Sequence, residues 1–328
     1  MTTGGIKVVL TSPRVAPGLL TRAAWQVLGD ADEIGASGGP ARPDVQAVVG
    51  SGLVVSQIEG GFAEAWTWLS AAAASGRQVV WLVGEDGEPG LLRVVADQLS
   101  REPRPSYDVE ILHGSYDVPG ARLIDLVRVM DRLRRNCPWD QEQTHESLAK
   151  YLLEETYETL EAIDTGNRPH LREELGDLLL QVAFHSRIAE ESVDDGDGFS
   201  IDDVSADIVE KLIRRHPHVF GTVDAADAAA VEANWETIKA AEKQRSSVLE
   251  GIPLALPALA LADKVLGRAA KALPAELTPA APGTEAERIG MELLALVREA
   301  RTLDVDAEQA LRTAILQLTA QIRAAETS

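Results

Sequence analysis

Apolar residues in the first third of the chain come in short runs: Lys7-Val8-Val9-Leu10, Val45-Gln46-Ala47-Val48-Val49 and Gln78-Val79-Val80-Trp81-Leu82-Val83. Runs of that length, rich in β-branched residues, predict strands. Helical stretches around residues 19–28 and 63–74 alternate with them, and Gly/Pro-rich turns separate the pieces. That rhythm predicts an α/β segment with a mostly parallel sheet. From Leu123 onward the strand pattern stops, and helical periodicity takes over at 121–135, 145–164, 169–191, 200–215 and 226–245. Asp164-Thr165-Gly166-Asn167-Arg168-Pro169 reads as a turn between two helices, with Gly closing the first and Pro opening the next. Glu191 to Gly198 reads as a solvated loop. The tail begins with Pro253 and Pro257, breaks at 274–284 and ends in alanine-rich helix. The expected organisation is an α/β segment over 1–118, an all-α segment over 119–247 and a helical tail over 248–328.

Composition narrows the function. Among 328 residues, acidic side chains outnumber basic ones 52 to 31, a formal net charge of −21. Such a surface repels nucleic-acid backbones and anionic membranes, so neither a polynucleotide nor a membrane partner is expected. One cysteine cannot form an internal disulfide, which suits a reducing compartment. The sequence offers neither a spanning apolar run nor a signal-peptide layout, so the expectation is a cytoplasmic protein.

Candidate chemistry concentrates in Leu153-Glu154-Glu155-Thr156-Tyr157-Glu158 and Arg172-Glu173-Glu174-Leu175-Gly176-Asp177. Two acidic pairs at i,i+3 lie on consecutive helices joined by a short turn, which makes those helices antiparallel neighbours. Projection at about 100° per residue puts Leu148, Ala149, Leu152, Thr156, Leu160 and Ile163 on one stripe of the first helix. In the second, Leu171, Leu175, Leu178, Leu179, Val182 and Ala189 form the stripe. Glu155, Glu158, Glu174 and Asp177 lie at or beside the stripe edges, while Glu154 and Glu173 point away. Four carboxylates in one half-buried groove repel one another and require a multivalent cation. All-oxygen ligation favours Mg²⁺, with Mn²⁺ as a substitute. A solvated acidic face is the plainer alternative for either pair alone.

A basic cluster follows: Lys211, Arg214 and Arg215 before His216-Pro217-His218-Val219-Phe220, then Trp235 and Lys239 at i,i+4. Cations gathered at one helix end suit a polyphosphate, and Trp235 offers a face for a base. Equally, the arginines complement a helix C-terminus and Trp235 belongs to the core.

Taken with Asn136-Cys137-Pro138-Trp139-Asp140 and Gln143-Thr144-His145, these motifs resemble a MazG-type nucleoside triphosphate pyrophosphohydrolase over about residues 120–245. The resemblance implies an all-α catalytic segment that cleaves ribo- and deoxyribonucleoside triphosphates to the monophosphate and pyrophosphate with Mg²⁺. It implies Glu155, Glu158, Glu174 and Asp177 as metal ligands and catalytic residues. Lys211, Arg214, Arg215, Trp235, Lys239 and Arg172 would contact the nucleotide, and Glu154 and Glu173 would play supporting or substrate-orienting roles. Clearance of aberrant or surplus nucleotides is the implied service. The rival is a non-catalytic nucleotide or metal sensor, or an interaction scaffold.

The flanks depart from that pattern. Leu249 to Pro253, Leu256 to Leu259 and Ala262-Asp263-Lys264 are similar to the start of a second such domain, but Arg288 and Met291 stand where Glu174 and Asp177 would. The tail is therefore expected to be a truncated, inactive repeat. Residues 1–118 resemble a degenerate tetrapyrrole-methylase domain, with Thr11-Ser12-Pro13-Arg14 in place of the early glycine-rich turn and Val83 to Gly87 a loose echo of a cofactor loop. A structural or regulatory remnant is expected there, not methyl transfer. Cys137 has no expected redox role, His185 is expected to pack or hydrogen-bond, and His216 and His218 to fix a helix exit. Leu180, Phe184 and Ile188 lie opposite the main stripe of their helix; the remaining helices of the middle segment could cover that second face, but the resemblance implies a partner subunit, so a homodimer through the middle segment is expected.

Overall fold

A computed structural model describes residues 4–84, 88–100, 105–223, 227–242, 247–273 and 281–326. The chain divides into two compact units, Met1–Ile208 and Val209–Ser328.

The first unit opens with β1 (Gly5–Leu10), α1 (Arg22–Gly29), β2 (Glu33–Ala36), α2 (Pro43–Gly50), β3 (Val55–Gln57), α3 (Phe62–Ala74), β4 (Gln78–Leu82), α4 (Pro89–Leu99) and β5 (Asp108–His113). The strands form a parallel sheet in the order β3-β2-β4-β1-β5. Alternation along the central strands explains why it is covered on both faces. Ile6, Val8, Val79, Trp81 and Val83 pack on Ala65, Leu69 and Leu91 of α3 and α4. Val9, Val80 and Leu82 turn the other way, against Ala24, Leu28, Val45 and Val48 of α1 and α2. Gly35 of β2 is glycine for a steric reason: a Cβ there would lie 2.5 Å from the Trp68 ring.

One expectation is overturned here. Val45–Val49 is helix, not strand: Pro43 occupies the first turn, and Val45 and Val48 face the sheet one turn apart while Val49 is exposed. Open parallel sheets take ligands at their carboxyl edge; beyond β1 and β5 that edge keeps cavities of about 310 and 470 Å³ that share Thr11, Ser12 and Ser115, while at β2 and β4 it is filled by the chain itself. Arg42, buried, donates to the carbonyls of Leu82 (3.3 Å) and Val83 (2.8 Å) and pairs with Asp44 at 2.6 Å. Glu88 accepts from Trp81 Nε1 at 2.6 Å and from the Ser37 hydroxyl. The segment 85–87 of the cofactor-loop echo lies outside the described residues. Past β1, Arg14 donates to Asp125 (2.7 Å) and Asp117 (2.6 Å), and Arg128 donates to the Pro13 carbonyl at 2.6 Å. These bonds join the loop to the next helix.

The helices of this unit continue with α5 (Arg122–Asn136), α6 (Pro138–Glu142), α7 (His145–Thr165) and α8 (Arg168–Ala189). Arg134 holds the α6 loop, donating to the carbonyls of Asp140 and of Gln143 (3.0 Å) while pairing with Glu191 at 2.7 Å. A 3₁₀ turn at Glu190–Asp195 stands where a solvated loop was expected. Thr144 caps α7, accepting from Ser147 N at 3.2 Å. Gly166, at φ 66, ends it in the left-handed region that favours glycine. Asn167 then caps α8, accepting from His170 N at 3.3 Å, so α7 and α8 run back to back.

The faces they present differ from the projection. The side of α7 against α8 carries Leu148, Tyr151, Glu155, Thr159 and Ala162, while Leu152 and Ile163 of the expected stripe are exposed. On α8, Leu175, Leu179 and Val182 are likewise exposed. The expectation that the Leu180, Phe184 and Ile188 face meets a partner subunit is corrected, because α5 covers it. Met130, Leu148, Ala183 and Phe184 form a buried cluster, with Leu126, Tyr151, Leu180 and Ile188 around them.

Helix α9 (Ile201–Arg215) crosses into the second unit, which holds α10 (Pro217–Phe220), α11 (Ala228–Glu242), α12 (Ala258–Ala272), α13 (Glu285–Thr302) and α14 (Ala307–Glu326). The last three pack on one another.

Candidate active site

The α7–α8 pairing brings carboxylates together because each helix offers its acidic i,i+3 pair at the level where the other passes. One oxygen each from Glu155, Glu158 and Glu174 lie within 4.8 Å of one another. Glu174 is buried, Glu155 half-buried and Glu158 exposed, so the cluster forms an open-sided groove. Asp177, one turn beyond Glu174, lies outside that set of mutually close oxygens, but its charge acts on both Glu155 and Glu174. Glu154 and Glu173 are exposed and add repulsion from the rim.

Burial pushes the carboxyl of Glu155 above its usual range, and the charges of Asp177, Glu158, Glu174 and Glu154 push it further. Glu174 is raised by burial, then by Glu158, Asp177 and Glu173, with His170 acting in the opposite direction. His170 Nε2 lies 2.9 Å from Glu174 Oε1, a contact sequence inspection passed over although the i,i+4 spacing offers it. The raised carboxyls show that the protein's own cations do not neutralise the groove. Three oxygens within 4.8 Å need only a small closure to meet one ion, and the all-oxygen donor set suits a hard divalent cation.

The basic cluster lies in the second unit. Arg214 and Arg215 end α9 and pair with Glu242 of α11, each at 2.6 Å. The Trp235 ring has the Arg215 guanidinium at 5.1 Å and the Lys239 ammonium at 4.4 Å. Trp235 is half-buried beneath cations, neither a plain core residue nor a free platform. Lys211 lies one turn before the arginines on α9, and Arg172 is exposed on α8.

Other histidines behave as packing groups. His185 Nδ1 meets His145 Nδ1 at 2.8 Å with the rings stacked at 5.1 Å. His216 bonds the Leu212 carbonyl at 2.6 Å where α9 ends. Cys137 is a half-buried free thiol before α6.

Residues 143–220 match the family model of the MazG nucleotide pyrophosphohydrolase domain. The chain is 50% identical over 242 residues to a 26.1 kDa protein from the blaB 3′ region of Streptomyces cacaoi, covering 74% of this chain and 98% of that one. It is 40% identical over 272 residues to the nucleoside triphosphate pyrophosphohydrolase of Mycolicibacterium smegmatis, covering 80% of this chain and 74% of that one. With the nucleoside triphosphate pyrophosphohydrolase/pyrophosphatase MazG of Thermotoga maritima it shares 41% identity over 212 residues, 58% of this chain and 80% of that one.

Proposed function

The chain belongs to the MazG family and is a nucleoside triphosphate pyrophosphohydrolase, and from that premise we propose a Mg²⁺-dependent reaction that converts ribo- and deoxyribonucleoside triphosphates to the monophosphate and pyrophosphate. The observation that carries it is the α7–α8 groove, where three carboxylate oxygens lie within 4.8 Å of one another. Glu155, Glu158 and Glu174 would hold the ion, with Asp177 one turn away completing the donor set. When bound, Mg²⁺ supplies Lewis acidity and neutralises triphosphate charge, with Mn²⁺ able to replace it.

The chain's own part is binding and orientation. Lys211, Arg214, Arg215 and Lys239 would draw in the polyphosphate and take up charge that grows on the departing pyrophosphate. Trp235 would stack on the base, and Arg172 would add a cation from α8. Water adds to phosphorus as the phosphoanhydride bond breaks, and its proton leaves to solvent through the open side of the groove. Glu154 and Glu173, exposed beside the ligands, keep the local field negative and favour the cation-bound state.

The apolar stripe left bare on both helices supports a homodimer. Leu152, Ile163, Leu175, Leu179 and Val182 are exposed on the two helices that carry the carboxylates, and a second copy of the chain would cover them. The tail fits an inactive repeat: Arg288 pairs with Glu285 (2.9 Å) and Glu292 (2.6 Å) on α13 instead of leaving room for a ligand carboxylate. The sheet-bearing segment, with Arg42 and Glu88 filling the β2 and β4 end of its carboxyl edge, would serve as a structural or regulatory remnant. Among the described residues no helix is long and apolar enough to cross a membrane; the lone cysteine and acidic surface fit a cytoplasmic enzyme clearing surplus or aberrant nucleotides.

The test is product identity. The full chain is incubated with Mg²⁺ and a panel of ribo- and deoxyribonucleoside triphosphates. Monophosphate and pyrophosphate in equal amounts are expected. Diphosphate and orthophosphate, or binding without turnover, would refute the proposal, and the latter would establish the sensor.

A further inference from the structure

The arginines read here as polyphosphate contacts already grip an anion. Arg214 Nε donates to Glu242 Oε1 at 2.6 Å. Arg215 donates to Glu242 Oε2 from Nη2 at 2.6 Å and from Nε at 3.1 Å. Both carboxylate oxygens are therefore taken, one by each side chain. Two adjacent guanidiniums closing on a pair of oxygens make the same fork that recognises a phosphate group. The arrangement also fixes Arg215 over the face of Trp235, 5.1 Å from the ring centroid, with Lys239 on the same ring at 4.4 Å. Fork, ring and Glu242 thus form one assembly between the end of α9 and the last turn of α11.

We propose that Glu242 is an internal stand-in for a substrate phosphate, a positioning residue that competes for the arginine fork and so hastens release of pyrophosphate. The inference rests on the reading of Arg214 and Arg215 as polyphosphate contacts. In the absence of substrate, Glu242 holds both guanidiniums together on its two oxygens, so the fork is formed before a ligand arrives. A triphosphate or pyrophosphate, with several negative charges, displaces the single carboxylate. Once the phosphoanhydride is broken, the pyrophosphate holds the fork alone, without the nucleoside to anchor it, and Glu242 returns. A nucleoside monophosphate, whose one phosphate does not need the fork, escapes this competition. The two guanidiniums hold the Glu242 carboxyl down to about 2, so the competitor is charged at every pH at which the enzyme would be assayed.

The experiment compares full-length wild type, Glu242→Gln, Glu242→Asp and Arg214→Gln/Arg215→Gln, the last with and without Glu242→Gln. Calorimetric titration with inorganic pyrophosphate, and separately with adenosine monophosphate, is followed by steady-state kinetics. Glu242→Gln is expected to bind pyrophosphate about fivefold tighter, the scale set by partly exposed ion pairs. Monophosphate binding should stay put, KM should fall, and product inhibition by pyrophosphate should rise. The gain should vanish in the double-arginine background, which is the signature of competition for that fork. Glu242→Asp keeps the charge but shortens the reach by one methylene, so it should gain in the same direction, and it serves should the Gln variant fold poorly. Unchanged or weaker pyrophosphate binding in both Glu242 variants, with the arginine variant still weakened, would overturn the competitor alone. If the arginine variant binds pyrophosphate and triphosphate as wild type does, the reading of the fork itself falls, and this inference with it.

Discussion

Phe184→Ala separates packing inside the chain from packing between copies. Phe184 is 3% exposed and fills the cluster formed with Met130, Leu148 and Ala183 where α5, α7 and α8 meet. The Trp139 ring lies tilted against it, centroids 6.4 Å apart. Truncation removes the whole ring and leaves a void that helices pinned by Arg134 and Arg187 cannot close. Arg187 reaches Asp131 of α5 at 2.9 Å and Glu191 at 3.2 Å. Core truncations of this kind cost about 3–5 kcal/mol, transfer and cavity terms together. In a cooperative unit the size of Met1–Ile208, each kcal/mol moves the midpoint roughly 2–4 °C, so the transition should drop by about 6–20 °C. Scanning calorimetry of the full chain reads that drop, and light scattering on the same sample reads the association state. With Phe184 covered by α5, the association state at low temperature should not change. A midpoint within about 2 °C of wild type, accompanied by dissociation, would refute the packing argument and restore Phe184 to an interface.

Three further outcomes are expected. Asp177→Asn and Glu174→Gln should each abolish turnover at saturating Mg²⁺ while the fold survives without metal, because mutual repulsion falls; near-normal rates in Asp177→Asn would remove it from the ligand set. Without metal, the raised carboxyls of Glu155 and Glu174 make the folded chain hold more protons than the unfolded chain above about pH 4.3. The metal-free melting midpoint should therefore fall as pH rises through that window, and Mg²⁺ should cancel the decline; a rise would contradict the site electrostatics. Glu242 has the opposite sign: its carboxyl, held to about 2, gives stability present above the ordinary glutamate range and lost as pH drops toward 2. Finally, Leu179→Glu, at a side chain 45% exposed, should leave the melt of the isolated chain nearly unchanged yet shift light scattering toward the monomer; an unaltered dimer would place the contact elsewhere.

The helical half was legible because long amphipathic segments announce themselves, and Gly166-Asn167 marks the turn between α7 and α8 in the sequence itself. The sheet was less so. Strand β2, Glu33-Ile34-Gly35-Ala36, has one large apolar residue, since Gly35 must admit the Trp68 ring, and β3 is only Val55–Gln57. Neither carries enough alternation to register. Val45–Val49 misled for the opposite reason, since Val45 and Val48 are buried one helical turn apart while the adjacent Val49 is exposed. The rotation of α7 was the instructive miss. Projection assumes that the most apolar face turns inward, but the inward face carries Glu155 with the small Thr159 and Ala162. These let α8 approach closely enough for the carboxylates to meet, and the apolar stripe is left for other company. His170, the Glu174 partner, and Glu242, the arginines' partner, were passed over because each looked like one more surface charge.

The Arg14 loop decides how this enzyme can be taken apart. The composition change near residue 118 suggests a place to cut, but the bonds from Arg14 to Asp125 and from Arg128 to the Pro13 carbonyl run straight across it. An excised helical piece would keep Asp125 and lose the guanidinium that holds its carboxyl below the usual range. It would also bare the side of α5 that the loop shields. Domain shuffling at that boundary, in the laboratory or in a genome, must move the sheet and the helices together or neutralise Asp125 in the same step. The sheet can thus persist as a fused part, tied to its neighbour by Arg14 on one side and Arg128 on the other.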